Sequence, residues 1–72
     1  MDHTSNNLEL SSRKIAEDRK LVASQEADIR GILSRGESSR LAEGQLIDLN
    51  RALRAHIFER DLIMAAIKLD RH

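Results

Sequence analysis

The sequence predicts an all-α fold, an antiparallel two-helix hairpin that pairs with a second hairpin into a four-helix bundle as a homodimer. Apolar residues recur at helical spacing on both sides of a single break at Gly36. The 72 residues contain no proline and a single valine, which favours long helices over strands. The second helix also carries two separate apolar stripes, and the first helix of the same chain covers only one of them.

The first helix is predicted over about residues 7–34, after a polar segment without periodicity. We expect residues 1–5 to be a disordered tail and residues 6–72 to form a single helical-hairpin domain. Asn6 and Glu9 have the spacing of a capping box. The inner face repeats every seven residues and consists of Leu8, Ile15, Val22 and Ile29, with Leu33 closing it. The positions between them are Ser11, Asp18 and Gln25, so this face is half polar.

The break between the helices is predicted at residues 34–39. Gly36 suits the left-handed position that follows a helix, and Ser38 or Ser39 suits the N-cap of the next one. Alternatively, Ser34 and Glu37 cap an earlier start. A short connection forces the two helices antiparallel. Folding the chain about this turn places Val22 opposite Leu53 and brings Gly31 close to Gly44.

The second helix is predicted over about residues 39–70, with its two stripes roughly 150° apart. The inner stripe consists of Leu46, Leu49, Leu53, Ile57, Met64 and Ile67. The second stripe consists of Phe58, Leu62, Ala65 and Leu69. The first helix carries a smooth strip on another face, formed by Ala16, Ala23 and Ala27. We expect a four-helix bundle to bury the second stripe and this strip together, which makes these seven residues the predicted protein interface.

Composition narrows the function classes. Twelve basic and twelve acidic residues are interspersed and cancel, which is typical of a solvated helical surface. The chain has no cysteine and one aromatic residue, so a domain this small is expected to gain stability by oligomerising. Its longest apolar run, from Leu62 to Ile67, is far shorter than a membrane span. We therefore expect a cytoplasmic protein with no membrane partner.

No residue pattern here identifies a reaction. A nucleophile with its base and a glycine-rich phosphate loop are both missing from the sequence. His56 and Glu59 lie one helical turn apart, but nothing else in the chain completes a metal site, so we interpret His56 as a residue at the boundary of the inner stripe. We expect no enzyme activity, no catalytic residue, no cofactor and no metal.

Residues 24–28 resemble a known signature. Their sequence, Ser-Gln-Glu-Ala-Asp, is similar to the Ser-Gln-Glu-Leu-Asp motif of the small helical-hairpin phosphatases of sporulation phosphorelays. The resemblance implies action on a phosphorylated response regulator. In those phosphatases the motif lies on the second helix, whereas here it lies on the first and Ala27 replaces the leucine. We therefore interpret the segment as a solvated helix face.

The sequence best fits a non-catalytic protein-binding regulator or adaptor that acts through a helical apolar surface as a homodimer. One alternative is a Rop-like helical dimer that binds nucleic acid, with Arg40, Arg51 and Arg54 contacting phosphates. Zero net charge and the nearby Glu43 and Asp61 weigh against it. Another alternative is a small co-chaperone that shields an amphipathic helix of a secretion or phage assembly partner.

Overall fold

Two long helices form an antiparallel hairpin. The computed structural model describes residues 3–70 of the chain. Helix α1 spans His3–Ser34 and helix α2 spans Arg40–Leu69, and the two pack against each other. Hydrogen bonds link Ser11 to Glu59 near the open end and Gln25 to Ala42 near the turn, which fixes the antiparallel direction. The predicted helical hairpin is confirmed.

Helix α1 begins earlier than the sequence indicated. Residues 3–5, placed in a disordered tail, and Asn6, placed at the N-cap, all lie within the helix. Residues 1 and 2 of the predicted tail lie outside the described part of the chain. A favourable cap stabilises a helix end by only about 1 kcal/mol, and an additional turn of backbone hydrogen bonds offsets its loss.

The turn closes α1 with a Schellman motif. The Glu37 amide donates to the Ile32 carbonyl at 3.1 Å, and the Gly36 amide donates to the Leu33 carbonyl at 3.0 Å. Gly36 has φ of +74°, which confirms its predicted left-handed conformation. Ser39 occupies the N-cap position of α2, but its side chain makes no cap hydrogen bond. The Arg40 amide donates instead to the Ser38 hydroxyl at 3.5 Å.

The inner face of α2 follows a seven-residue repeat more closely than the predicted stripe does. Met64 was placed on the inner stripe, but its side chain is 41% exposed, and Ile63 is half-buried in its place. We call the line of α2 residues that faces α1 the seam. Its residues follow one another in alternating steps of four and three, and they are Ala42, Leu46, Leu49, Leu53, His56, Arg60, Ile63 and Ile67. Two long helices stay in contact along one line only if the contacting residues repeat about every 3.5 residues. A stripe predicted with 3.6 residues per turn therefore drifts away from the contact line.

The predicted close approach of Gly31 and Gly44 is wrong. A Cβ atom added at Gly44 would have nothing within 4 Å, and one at Gly31 would meet only the Arg35 side chain. Gly44 falls between the seam residues Ala42 and Leu46 in sequence and lies on the outer face of α2. The helices are therefore held together by side chains along the seam.

Polar groups interrupt the seam and are paired across it. Asp18 on α1 is hydrogen-bonded to the His56 ring on α2. The Gln25 amide donates to the Ala42 carbonyl at 2.9 Å and to Gln45 Oε1 at 2.8 Å. Such pairs satisfy polar side chains in the interface but contribute little apolar burial. The hairpin core is therefore thin.

The hairpin is elongated and exposes a large surface. It measures 58 × 16 × 13 Å, and its radius of gyration is 16.7 Å, against about 11 Å for a compact domain of this length. The accessible surface is 5728 Å², whereas a compact monomer of 8.2 kDa exposes about 4,500 Å². The excess is about 1,200 Å² per chain. Neither helix, as far as it is described, has the length and apolarity that crossing a membrane requires.

Candidate protein-binding surface

A continuous apolar surface runs along the outer side of the second half of α2. Its large side chains are exposed to 66% at Phe58, 56% at Leu62 and 72% at Leu69, and Ala65 between them is also exposed. We call these four residues the apolar row. Large apolar side chains this exposed, and adjacent to one another, are typical of surfaces that contact another macromolecule.

The row stays exposed because it lies on the side of α2 that faces away from the seam. On a helix with 100° between successive residues, Phe58 and Leu62 each lie about 160° around α2 from the seam residue Arg60. Because α1 packs on the seam, it cannot reach the row. Phe58 is also the single aromatic residue of the chain, so its largest apolar side chain is left outside the core.

The alanine strip lies on the other side of the molecule. Ala16, Ala23 and Ala27 are all exposed. They lie about 140° around α1 from its seam face, which packs on α2 and includes Ile15, Asp18, Val22 and Gln25. The row and the strip therefore face away from each other across the hairpin. A single neighbouring helix therefore covers only one of these two surfaces on a given chain.

The three arginines proposed for nucleic-acid contact are exposed. Arg40 begins α2, and Arg51 and Arg54 lie on the two turns that precede the apolar row. None of them makes an ion pair with another residue of the described chain. The arginines extend over about four turns of the helix, and the structure does not gather them into one compact cluster.

His56 and Glu59 have partners inside the hairpin. The His56 ring is hydrogen-bonded to Asp18, and the Ser11 hydroxyl donates to Glu59 Oε1 at 3.4 Å. These contacts join the polar positions of α1 to α2, which the sequence interpretation missed. The seven-residue spacing of Ser11, Asp18 and Gln25 contains the signal, because a helix seam with regularly placed polar residues needs polar partners opposite. Among the residues that the structure describes, no three histidine, aspartate or glutamate side chains cluster as metal ligands do.

The segment that resembles the phosphatase signature is divided between two roles. Gln25 faces α2 and bonds to Ala42 and Gln45 there. Ser24, Glu26, Ala27 and Asp28 are exposed around the rest of the helix. The five residues therefore do not share one face of α1.

The chain was also compared with known proteins. No protein family, no curated protein sequence and no solved structure matches it. The surface chemistry of the hairpin is therefore the basis for assigning a function.

Proposed function

We propose that this chain is a non-catalytic protein-binding regulator or adaptor whose working surface is the apolar row of α2. The observation that carries the proposal is the exposure of Phe58, Leu62 and Leu69 on one continuous helix face. Removing each of these side chains from water is worth about 1.5–3 kcal/mol. That total is comparable with the whole stability expected of so small a domain.

The form of the row indicates the kind of partner. It follows one helix and combines three bulky side chains with one small one, at spacings of four, three and four residues. This is the pattern by which an amphipathic helix packs on another helix. We propose that the partner presents a helix, and that self-association, of which a homodimer of four helices is the smallest form, is the simplest way to cover the row.

The nucleic-acid alternative depends on different residues. Arg51 and Arg54 are exposed and have no ion-pair partner among the described residues, which leaves both guanidinium groups available for phosphate. Binding of this kind weakens steeply as the salt concentration rises, because it depends on the release of counterions. Apolar contacts at the row lack this dependence. Salt therefore separates the two functions.

The experiment is a pull-down on the immobilised chain from nuclease-treated extract of its own cells, at 0.15 and 0.5 M NaCl. We expect the wild type to retain protein at both salt concentrations. Phe58→Ala should lower retention at least tenfold, since truncating an aromatic anchor of an interface typically costs about 2 kcal/mol or more. The matched control is the arginine variant, which carries both Arg51→Glu and Arg54→Glu. It should retain protein as the wild type does.

Two outcomes would overturn this function. One is retention of no protein by the wild type. The other requires extract that has not been treated with nuclease. In that outcome the wild type and Phe58→Ala retain nucleic acid equally at 0.15 M NaCl, whereas the arginine variant does not retain it. The second outcome would assign the surface to nucleic acid.

A further inference from the structure

The apolar row of α2 has a counterpart on α1 of the same chain. The row residues follow one another at steps of four, three and four. On the exposed face of α1 the same steps occur in the reverse direction, through Ala27, Ala23, Lys20 and Ala16. Antiparallel helices pack through layers with this alternation of three and four residues.

When the two faces are laid together antiparallel, each layer combines a bulky side chain with a small one. The layers are Phe58 with Ala27, Leu62 with Ala23, Ala65 with Lys20, and Leu69 with Ala16. In the third layer the order is reversed, and the aliphatic stem of Lys20 covers the alanine while its ammonium group stays in water. Matched volumes of this kind are what close helix packing requires.

These two faces cannot meet within one hairpin. They lie on opposite sides of it, each about 140–180° around its helix from the seam. We infer that the row is covered by α1 of a second copy of this chain, packed antiparallel and head to tail. This inference rests on the proposed function and names the helix that the row binds.

The exposed area is sufficient for such an assembly. A stable protein interface buries about 800 Å² on each partner. One hairpin exposes about 1,200 Å² more than a compact monomer of its mass, from a total of 5728 Å². Because the row and the strip are separate, a copy inside the assembly is covered on two sides. Head-to-tail contact therefore removes surface from water on both sides of the hairpin.

The geometry also determines how the assembly grows. A two-fold dimer uses the same patch on both copies, whereas a head-to-tail contact joins two different patches. A pair of hairpins, which has four helices, still leaves one row and one strip uncovered at its ends. Further copies can then add at either end.

Two blocked variants test the arrangement. Leu62→Glu blocks the row, Ala23→Glu blocks the strip, and both positions are exposed, so the hairpin itself is expected to fold. In sedimentation velocity each variant alone should be a monomer of 8.2 kDa, while the wild type forms larger species. An equimolar mixture of the two variants should give a pair of twice that mass and nothing larger. Gly44→Glu, which adds the same charge at an exposed position of α2 outside both faces, should associate as the wild type does, and circular dichroism checks the fold of each variant.

Each alternative result has a distinct meaning. If Ala23→Glu associates as the wild type does and Leu62→Glu does not, the row pairs with another row, and the head-to-tail arrangement is wrong while the proposed function stands. A wild type that stays at 8.2 kDa at several hundred micromolar also overturns the arrangement and leaves the row to a different protein. If Leu62→Glu keeps the wild-type association, both the arrangement and the role of the row are wrong.

Discussion

At the scale of single residues, two glycines make opposite contributions to the hairpin. Gly36 has φ of +74° in the turn, a conformation that costs an L-residue with a side chain about 1 kcal/mol or more. Gly44 lies inside α2 with open space around the position of its missing Cβ. There glycine only costs helix stability, about 1 kcal/mol relative to alanine.

The pair gives a matched prediction. Gly36→Ala should lower the free energy of unfolding by about 1 kcal/mol, and Gly44→Ala should raise it by about as much. Urea denaturation followed by circular dichroism measures both, with each variant serving as the control for the other. If both changes shift stability in the same direction, the assignment of Gly36 to the turn and Gly44 to an exposed helix face is wrong.

His56 and Asp18 illustrate what a sequence pattern leaves out at this scale. Both residue types were visible in the sequence, one at the boundary of an apolar stripe and one on a half-polar face. Their pairing depends on the register between the helices, and an error of one residue turns a side chain by 100°. The turn chemistry at Gly36 could be predicted because it is local, whereas this contact joins residues 38 positions apart.

The same pair makes a prediction at the element scale. Asp18 and His56 occupy adjoining places in the seam of α1 and α2, with side chains 13% and 29% exposed. We expect Asp18→Ala and His56→Ala each to destabilise the hairpin, and the double variant to lose less than the sum of the two. The coupling energy in urea denaturation should be about 0.5 kcal/mol or more, as for residues in direct contact. Additive losses would show that the pair does not hold the helices together.

Arg60 weakens the seam where it lies. Its Nε is buried and has no hydrogen-bond partner among the described residues, while its terminal nitrogen contacts Asp61 at 3.4 Å. A buried donor without a partner opposes packing by about 1–3 kcal/mol. Two helices joined by a seam of this kind gain limited stability from each other.

At the scale of the elements, the sequence predicts the helices and the turn better than it predicts which residues are in contact. The two helices, the single turn and the separate apolar stripe of α2 follow from periodicity and from the position of Gly36. The replacement of Met64 by Ile63 in the seam follows from supercoiling, which the sequence shows only once two helices are known to pack. The earlier start of α1 reflects a balance of about 1 kcal/mol between a cap and an extra turn.

At the scale of the whole molecule, the hairpin has two exposed faces and a thin core. The apolar row points away from one side and the alanine strip from the other, so neither is covered within a single chain. The sequence predicted both faces, but their placement on opposite sides required the register of the seam. This placement is what distinguishes a head-to-tail assembly from a two-fold bundle.

The chain contains no cysteine, which allows the covering of the row to be measured directly with a single introduced thiol. Ala65→Cys places the thiol in the row, and Gly44→Cys places it on an exposed part of α2 outside the row. We predict that labelling of Cys at position 65 by a small thiol reagent slows at least tenfold as the protein is concentrated into the high micromolar range, while labelling at position 44 stays constant. Equal and concentration-independent rates at the two positions would contradict the claim that a second copy covers the apolar row.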